Sequence, residues 1–327
     1  MSTIAVPSSV LSASGDAESL RKALQGWRAD KGALVRILCR RTAAQRAAIR
    51  RAYAFLYREP LLNCFRYRLS RHCLLSVDFW KAMILWTMDP AERDANLVHE
   101  ALKKKKKTDE NYISVLIEVS CACAPDHLMA VRRAYLALFG CSIQEHVAAS
   151  PAIQEPLKKM LVSLVSSYRF ERERVDMDVV RLEASQLADA IGRKQLHGED
   201  AIRIVTTRSK SQLRATLQQY RQYYGTDMVE DIGSYCSGQF ARMMKSTIWC
   251  LTSPEKHFAE VIRHSILGLG TYEDALTRVA VSRAEIDMKQ IREEYEVRYM
   301  STVARDVVGD TSFGYKGLLL ALVGSED

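Results

Sequence analysis

Arg283-Ala284-Glu285-Ile286-Asp287-Met288-Lys289-Gln290-Ile291-Arg292-Glu293-Glu294-Tyr295 is the stretch on which the rest of the chain aligns. An apolar run leads into the arginine, a polar residue follows four later, and a tyrosine comes twelve after the arginine. The frame returns as Arg41, Gln45 and Tyr53, as Arg208, Gln212 and Tyr220, and in degraded form as Cys123, His127 and Tyr135. Successive copies start 82, 85 and 75 residues apart. Each unit closes on an apolar segment: Ala82–Trp86, Leu161–Val165, Ile248–Leu251 and Leu318–Val323. Self-similarity at a fixed period marks a repeat architecture, and four copies in register give four repeats.

Inside a unit the period is helical. Leu20, Leu24 and Trp27 step by four and three, as do Leu34, Leu38 and Arg41, and Ile49, Tyr53 and Leu56 continue the stripe. Short polar or glycine-bearing breaks such as 224–227 separate these segments, and nothing alternates with period two for long enough to form a strand. A unit of about 75 residues with several helices is too large for a two-helix solenoid, so a compact all-α bundle per repeat is expected. The spacing divides the chain into a short tail, 1–15, and repeats at 16–88, 89–168, 169–252 and 253–327, with linkers near 88–90, 169–178 and 252–254.

Bulk properties narrow the function. The 47 basic residues against 39 acidic ones leave +8, which points to a polyanionic partner, either nucleic acid or an acidic membrane surface. Seven prolines and fifteen glycines are few for a turn-rich sandwich or barrel. The start of the chain has no basic, apolar secretion signal, so its eight cysteines read as reduced cytoplasmic thiols. Cys121-Ala122-Cys123 is too tightly spaced for the usual zinc motifs and reads as helix packing. Leu318–Val323 is far short of the roughly 20 apolar residues of a membrane span. There is no phosphate-binding loop, metallohydrolase histidine pair or nucleophile elbow, so a binding protein is expected and not an enzyme.

Ile266-Leu267-Gly268-Leu269-Gly270-Thr271-Tyr272-Glu273, followed by Asp310-Thr311-Ser312, resembles an annexin calcium site in the fourth repeat. Trp86 to Ala95 and Val165 to Arg169 are similar to the plant branch of that family. The resemblance implies four repeats of five helices each, forming a slightly curved disc whose convex face carries loops that meet phospholipid. It implies Ca²⁺ as cofactor, held by the carbonyls of Ile266, Gly268 and Gly270 and by a bidentate Asp310. Glycine lets successive carbonyls turn toward one point. Calcium takes 6 to 8 oxygens, so water or a lipid phosphate would complete the shell, and metal and membrane would strengthen each other. The implied partner is an anionic phospholipid membrane, bound peripherally, with Leu269 at the loop tip.

The other three loops depart from the family. In Gly26-Trp27-Arg28-Ala29-Asp30-Lys31 the second glycine is Arg28, the distal acidic position is Arg68, and about six residues are inserted around 71–76. Repeat two carries Lys103, Lys104, Lys105, Lys106 and Lys107 where the loop belongs. Repeat three has Gly192-Arg193-Lys194, with Tyr235 where a carboxylate is needed. Loops lined by lysine and arginine are not expected to hold calcium. Arg28, Lys31, Lys103 to Lys107, Arg193 and Lys194 are instead candidates for direct contact with lipid phosphate, with Trp27 as an interfacial anchor.

Three further features carry less. Ile202-Arg203-Ile204 resembles an element proposed for actin binding in plant annexins, although its isoleucines fit core positions more simply. Arg40 stands where some plant annexins have a histidine linked to peroxidase-like activity, and neither His72 nor His99 has a recognisable partner in the sequence. A nucleic-acid binder and a helical interaction scaffold are the alternatives to a membrane protein. The first fits less well, because the register tyrosines read as buried.

Overall fold

The computed structural model describes residues 1–9, 11–26, 28–71, 77–103, 111–166, 168–169, 174–267, 272–310 and 313–324. Among them there are twenty α-helices and no strand. They follow one another as α1 (Ala13–Leu24), α2 (Lys31–Leu38), α3 (Ala43–Tyr57), α4 (Leu61–Arg71) and α5 (Val77–Thr87). Next come α6 (Pro90–Lys103), α7 (Asn111–Cys121), α8 (Pro125–Phe139), α9 (Ile143–Ala149) and α10 (Leu157–Ser166). The third set is α11 (Met177–Gly192), α12 (Glu199–Thr207), α13 (Lys210–Tyr224), α14 (Met228–Tyr235) and α15 (Gln239–Thr252). The last is α16 (Pro254–Ile266), α17 (Glu273–Arg283), α18 (Met288–Tyr299), α19 (Val303–Asp310) and α20 (Phe313–Val323). Five helices per repeat is the expected architecture. The chain forms two compact units, residues 1–93 with 258–327 and residues 94–257.

The sequence frame is a packing frame. Tyr53, Tyr135, Tyr220 and Tyr295 sit on the third helix of their repeats and are all buried. A buried phenol needs a hydrogen-bond partner, and each finds it eleven residues on, at Cys64 (3.5 Å), His146 (2.5 Å), Asp231 (2.7 Å) and Asp306 (2.7 Å). Burial pushes Tyr53 and Tyr295 up to about 12. The third helix ends on a left-handed residue each time: Arg58, Gly140, Gly225 and Met300. Glycine adopts that conformation freely, whereas a side chain there costs about 1 kcal/mol. Capping boxes at Thr42/Gln45 and Ser142/Glu145 start α3 and α9.

A second recurring contact ties the first helix to the residue that opens the frame. Arg41 grips the buried Asp16 through two bonds of 2.7 and 2.9 Å, and Arg208 holds the buried Glu183 at 2.6 Å. Arg283 lies over the Phe258 ring, 4.6 Å from its centroid. The N-terminal residues are also fastened. Thr3 donates its N–H to the Ala284 carbonyl at 2.9 Å and its hydroxyl to the Leu322 carbonyl at 2.5 Å. Helix α1 begins at Ala13, inside the stretch read as tail, because the Ser12 hydroxyl caps the Gly15 N–H.

Candidate functional site

The first-repeat loop runs from the end of α1 at Leu24 to Lys31, where Asp30 caps α2 through the Ala33 N–H at 2.8 Å. Gly26 has φ +79, a conformation that turns its peptide inward and suits glycine. The loop closes with the Asp30 N–H on the Ala23 carbonyl at 2.8 Å. Arg68 then reaches across from α4. Its Nη2 donates to the Leu24 carbonyl and, at 2.9 Å, to the Gly26 carbonyl. Two main-chain oxygens of this loop therefore converge on one cationic group supplied by the chain itself.

The fourth-repeat loop has the same closure. Its Tyr272 N–H bonds the Ser265 carbonyl at 2.9 Å, and in the tyrosine register Ser265 and Tyr272 match Ala23 and Asp30. Leu24 precedes Arg68 by 44 residues, and Ile266 precedes Asp310 by the same 44. Ile266 ends α16 and Asp310 ends α19. Gly268, Leu269 and Gly270 lie outside the described residues, as does the side chain of Asp310. The first-repeat loop supplies the test of fit, because the counterparts of the Ile266 and Gly268 carbonyls already hold a cation there. A carboxylate residue in place of the guanidinium changes the chemistry offered at that position from cationic to the oxygen-donor type that calcium takes.

The remaining candidates are distributed unevenly. Arg28 is exposed, but Lys31 is only half exposed. The Lys31 ammonium lies 5.0 Å from the Phe79 ring centroid, its stem passes beside Gly314 on α20, and burial pulls its pKa down. Lys103 is exposed and pairs with Glu100 at 3.2 Å, while Lys104 to Lys107 and Trp27 lie outside the described residues. Arg193 and Lys194 are exposed at the end of α11. Their loop closes early, with the Gln195 N–H on the Ala190 carbonyl at 2.7 Å. The exposed Tyr235 holds the distal position there, and the next residue, Cys236, sets its thiol 3.8 Å from the Ile191 carbonyl.

Ile202, Ile204 and His99 also have defined surroundings. Ile202 and Ile204 are buried core residues, and Arg203 between them pairs with Asp200 and Glu183. His99 does have partners, which the sequence did not reveal. Its ring stacks on Phe139 at 3.6 Å and Nδ1 is 3.3 Å from the Tyr135 hydroxyl, with burial the main cause of its lowered pKa. His72 lies outside the described residues. No helix among the described residues is long and apolar enough to cross a membrane.

Four five-helix repeats, with a cation-gripping loop after the first helix of the first repeat and its counterpart in the fourth, define an annexin-type repeat protein. The annexin family pattern matches residues 15–72, 183–246 and 257–322. Annexin D3 of Arabidopsis thaliana is 42% identical over 330 residues, covering 100% of both chains. The annexin-like protein RJ4 of Fragaria ananassa is 41% identical, with 95% of this chain and 96% of that protein covered. Among solved structures, annexin III is similar with a TM-score of 0.88 at 27% identity, covering 100% and 98% of the two chains. A calcium-bound annexin, (Sm)1, is similar with a TM-score of 0.80 at 26% identity, covering 96% and 90%. The chain belongs to the annexin family, in its plant-type branch.

Proposed function

We propose that this chain binds anionic phospholipid surfaces, with one calcium site in the fourth repeat and a calcium-independent contribution from the basic loops of the other three. Family membership supports calcium-dependent phospholipid binding in general. The observation that carries the finer reading is Arg68 on the carbonyls of Leu24 and Gly26, because it marks this loop as a cation-holding shell. In the fourth repeat the carbonyls of Ile266, Gly268 and Gly270 and the carboxylate of Asp310 hold Ca²⁺, which supplies a bridge to lipid phosphate. The repeats run 16–88, 89–168, 169–252 and 253–327, after the 1–15 tail.

Arg28, Lys103 to Lys107, Arg193 and Lys194 meet lipid phosphate directly, while Trp27 and Leu269 enter the headgroup zone. Lys31 contributes least, being partly buried against Phe79. Each basic group near an acidic leaflet is worth about 1 kcal/mol and fades within a Debye length of roughly 8 Å. The protein acts peripherally on the cytoplasmic side, by binding and not by catalysis. Co-sedimentation with phosphatidylserine vesicles tests the reading. Binding should rise with calcium, persist in part in chelator at low salt, and fall steeply as salt is added. Replacing Lys103 to Lys107 with glutamine should remove most of the chelator-resistant part and spare the calcium-dependent part. Binding confined to calcium, or a chelator-resistant part untouched by those replacements, rejects the basic-loop component.

A further inference from the structure

The second repeat departs from the other three at one buried point. In the tyrosine register, Cys123 takes the place of Arg41, Arg208 and Arg283, and His127 that of Gln45, Gln212 and Asp287. In repeats one and three the arginine holds a buried acid of the first helix, Asp16 at 2.7 Å and Glu183 at 2.6 Å. Repeat two keeps the acid, since Asp94-Ala95 of α6 matches Asp16-Ala17 of α1 and Glu183-Ala184 of α11. The Asp94 side chain is 3% exposed, but the residue across from it is now a thiol. His127 Nε2 stands 2.7 Å from Asp94 Oδ2, and one ligand atom from each of Asp94, Cys123 and His127 lies within 4.8 Å of the other two. Cys123 and His127 are partly exposed, so the cluster is open to solvent on their side.

We propose that Asp94, Cys123 and His127 form a site for a borderline-soft divalent cation of the Zn²⁺ class, standing where two other repeats put a guanidinium. A thiolate, an imidazole nitrogen and a carboxylate oxygen are the three donor types this cation takes, at about 2.0 to 2.3 Å. Donors bound tetrahedrally at such lengths lie roughly 3.5 Å apart, so the His127–Asp94 pair at 2.7 Å has to spread while the Cys123 thiol draws in. Binding exchanges the His127–Asp94 hydrogen bond for metal bonds and releases the thiol proton to solvent. The Lys210 ammonium, which donates to the Cys123 carbonyl at 3.1 Å, adds a nearby positive charge that weakens the pull on a cation. Three protein ligands leave a fourth position for water or a further donor. Calcium does not compete, because a hard ion needing 6 to 8 oxygens finds only one carboxylate here. The site is independent of the membrane reading.

The test uses the full chain, stripped with chelator and kept reduced, with excess calcium present throughout. It should take up one equivalent of Co²⁺ with a thiolate-to-metal charge-transfer band, and Zn²⁺ should displace the cobalt. His127→Gln installs the residue that repeats one and three carry and should weaken Zn²⁺ at least ten-fold. Cys123→Ser should erase the band. Cys123→Arg restores the clasp of repeats one and three and should abolish uptake while keeping or raising the unfolding midpoint, so the test does not depend on a poorly folding variant. A chain that takes up no Co²⁺, a band that survives Cys123→Ser, or an affinity unmoved by His127→Gln overturns the proposal.

Discussion

Loops 24–31 and 266–273 share a closing hydrogen bond and a spacing to a charged residue. Both close with an N–H reaching back seven residues, Asp30 to Ala23 at 2.8 Å and Tyr272 to Ser265 at 2.9 Å. Both have a charged residue 44 positions beyond the last residue of the first helix, Arg68 in one and Asp310 in the other. The arginine delivers its cation on a tether to the carbonyls of Leu24 and Gly26. At the matching position Asp310 is an acid and carries no cation of its own. The difference teaches that one side chain outside the loop sets the charge brought to it: Arg68 brings a cation to two carbonyls of the first loop, and on the proposed reading Asp310 leaves the fourth to acquire one.

The largest expected effect comes from removing the acid. Asp310→Ala should raise the calcium needed for half-maximal vesicle binding on the order of a hundred-fold, about 2.7 kcal/mol, as read by co-sedimentation across a calcium series. An unchanged midpoint would break the comparison at the fourth repeat. Next is the reverse exchange. Arg68→Asp combined with Arg28→Gly gives the first loop the chemistry of the fourth, and calorimetry with phosphatidylserine vesicles should then count two calcium ions per chain instead of one. A count still at one would mean that the shared closure does not make the loops equivalent.

The two loops also show what a sequence can and cannot disclose. The four-fold frame was legible because the buried tyrosines and the helical stripes recur at fixed intervals. The spacing that sets Arg68 against Asp310 was legible for the same reason. That the guanidinium would turn back onto the carbonyls of Leu24 and Gly26 was not, since a side chain with several free torsions leaves no periodic trace. His99 seemed isolated because its partners, Tyr135, Phe139 and His146, come from two other helices. Cys123 read as a degraded copy of the frame, and its neighbour in space, Asp94, lies 29 residues earlier, on α6.

Smaller effects sharpen the comparison. Arg68→Gln keeps one short donor but loses the charge, and should lower stability by about 1–2 kcal/mol in denaturant unfolding, with no change in the calcium response. A shift in that response would mean that the first loop takes part in calcium binding after all. The finest discrimination is by hydrogen exchange. Adding calcium and vesicles should slow the amides of 266–273 several-fold more than those of 24–31, whose cation is already in place. Equal slowing would show that lipid contact, and not cation capture, orders both.

The tether on Arg68 also bears on how the chain reports a calcium signal. A cation that cannot dissociate carries no information about the concentration outside, so the first repeat is fixed in one state while the fourth, on the proposed reading, samples the solution. A chain with several equivalent acquiring loops, each helping the next onto the same bilayer, turns a small rise in calcium into a steep response. With the one acquiring loop proposed here, the dose–response of a single chain would be a simple saturation curve, with a Hill coefficient of about one. The basic loops would set its floor and Asp310 its midpoint, so membrane occupancy would follow calcium as a dimmer follows a dial.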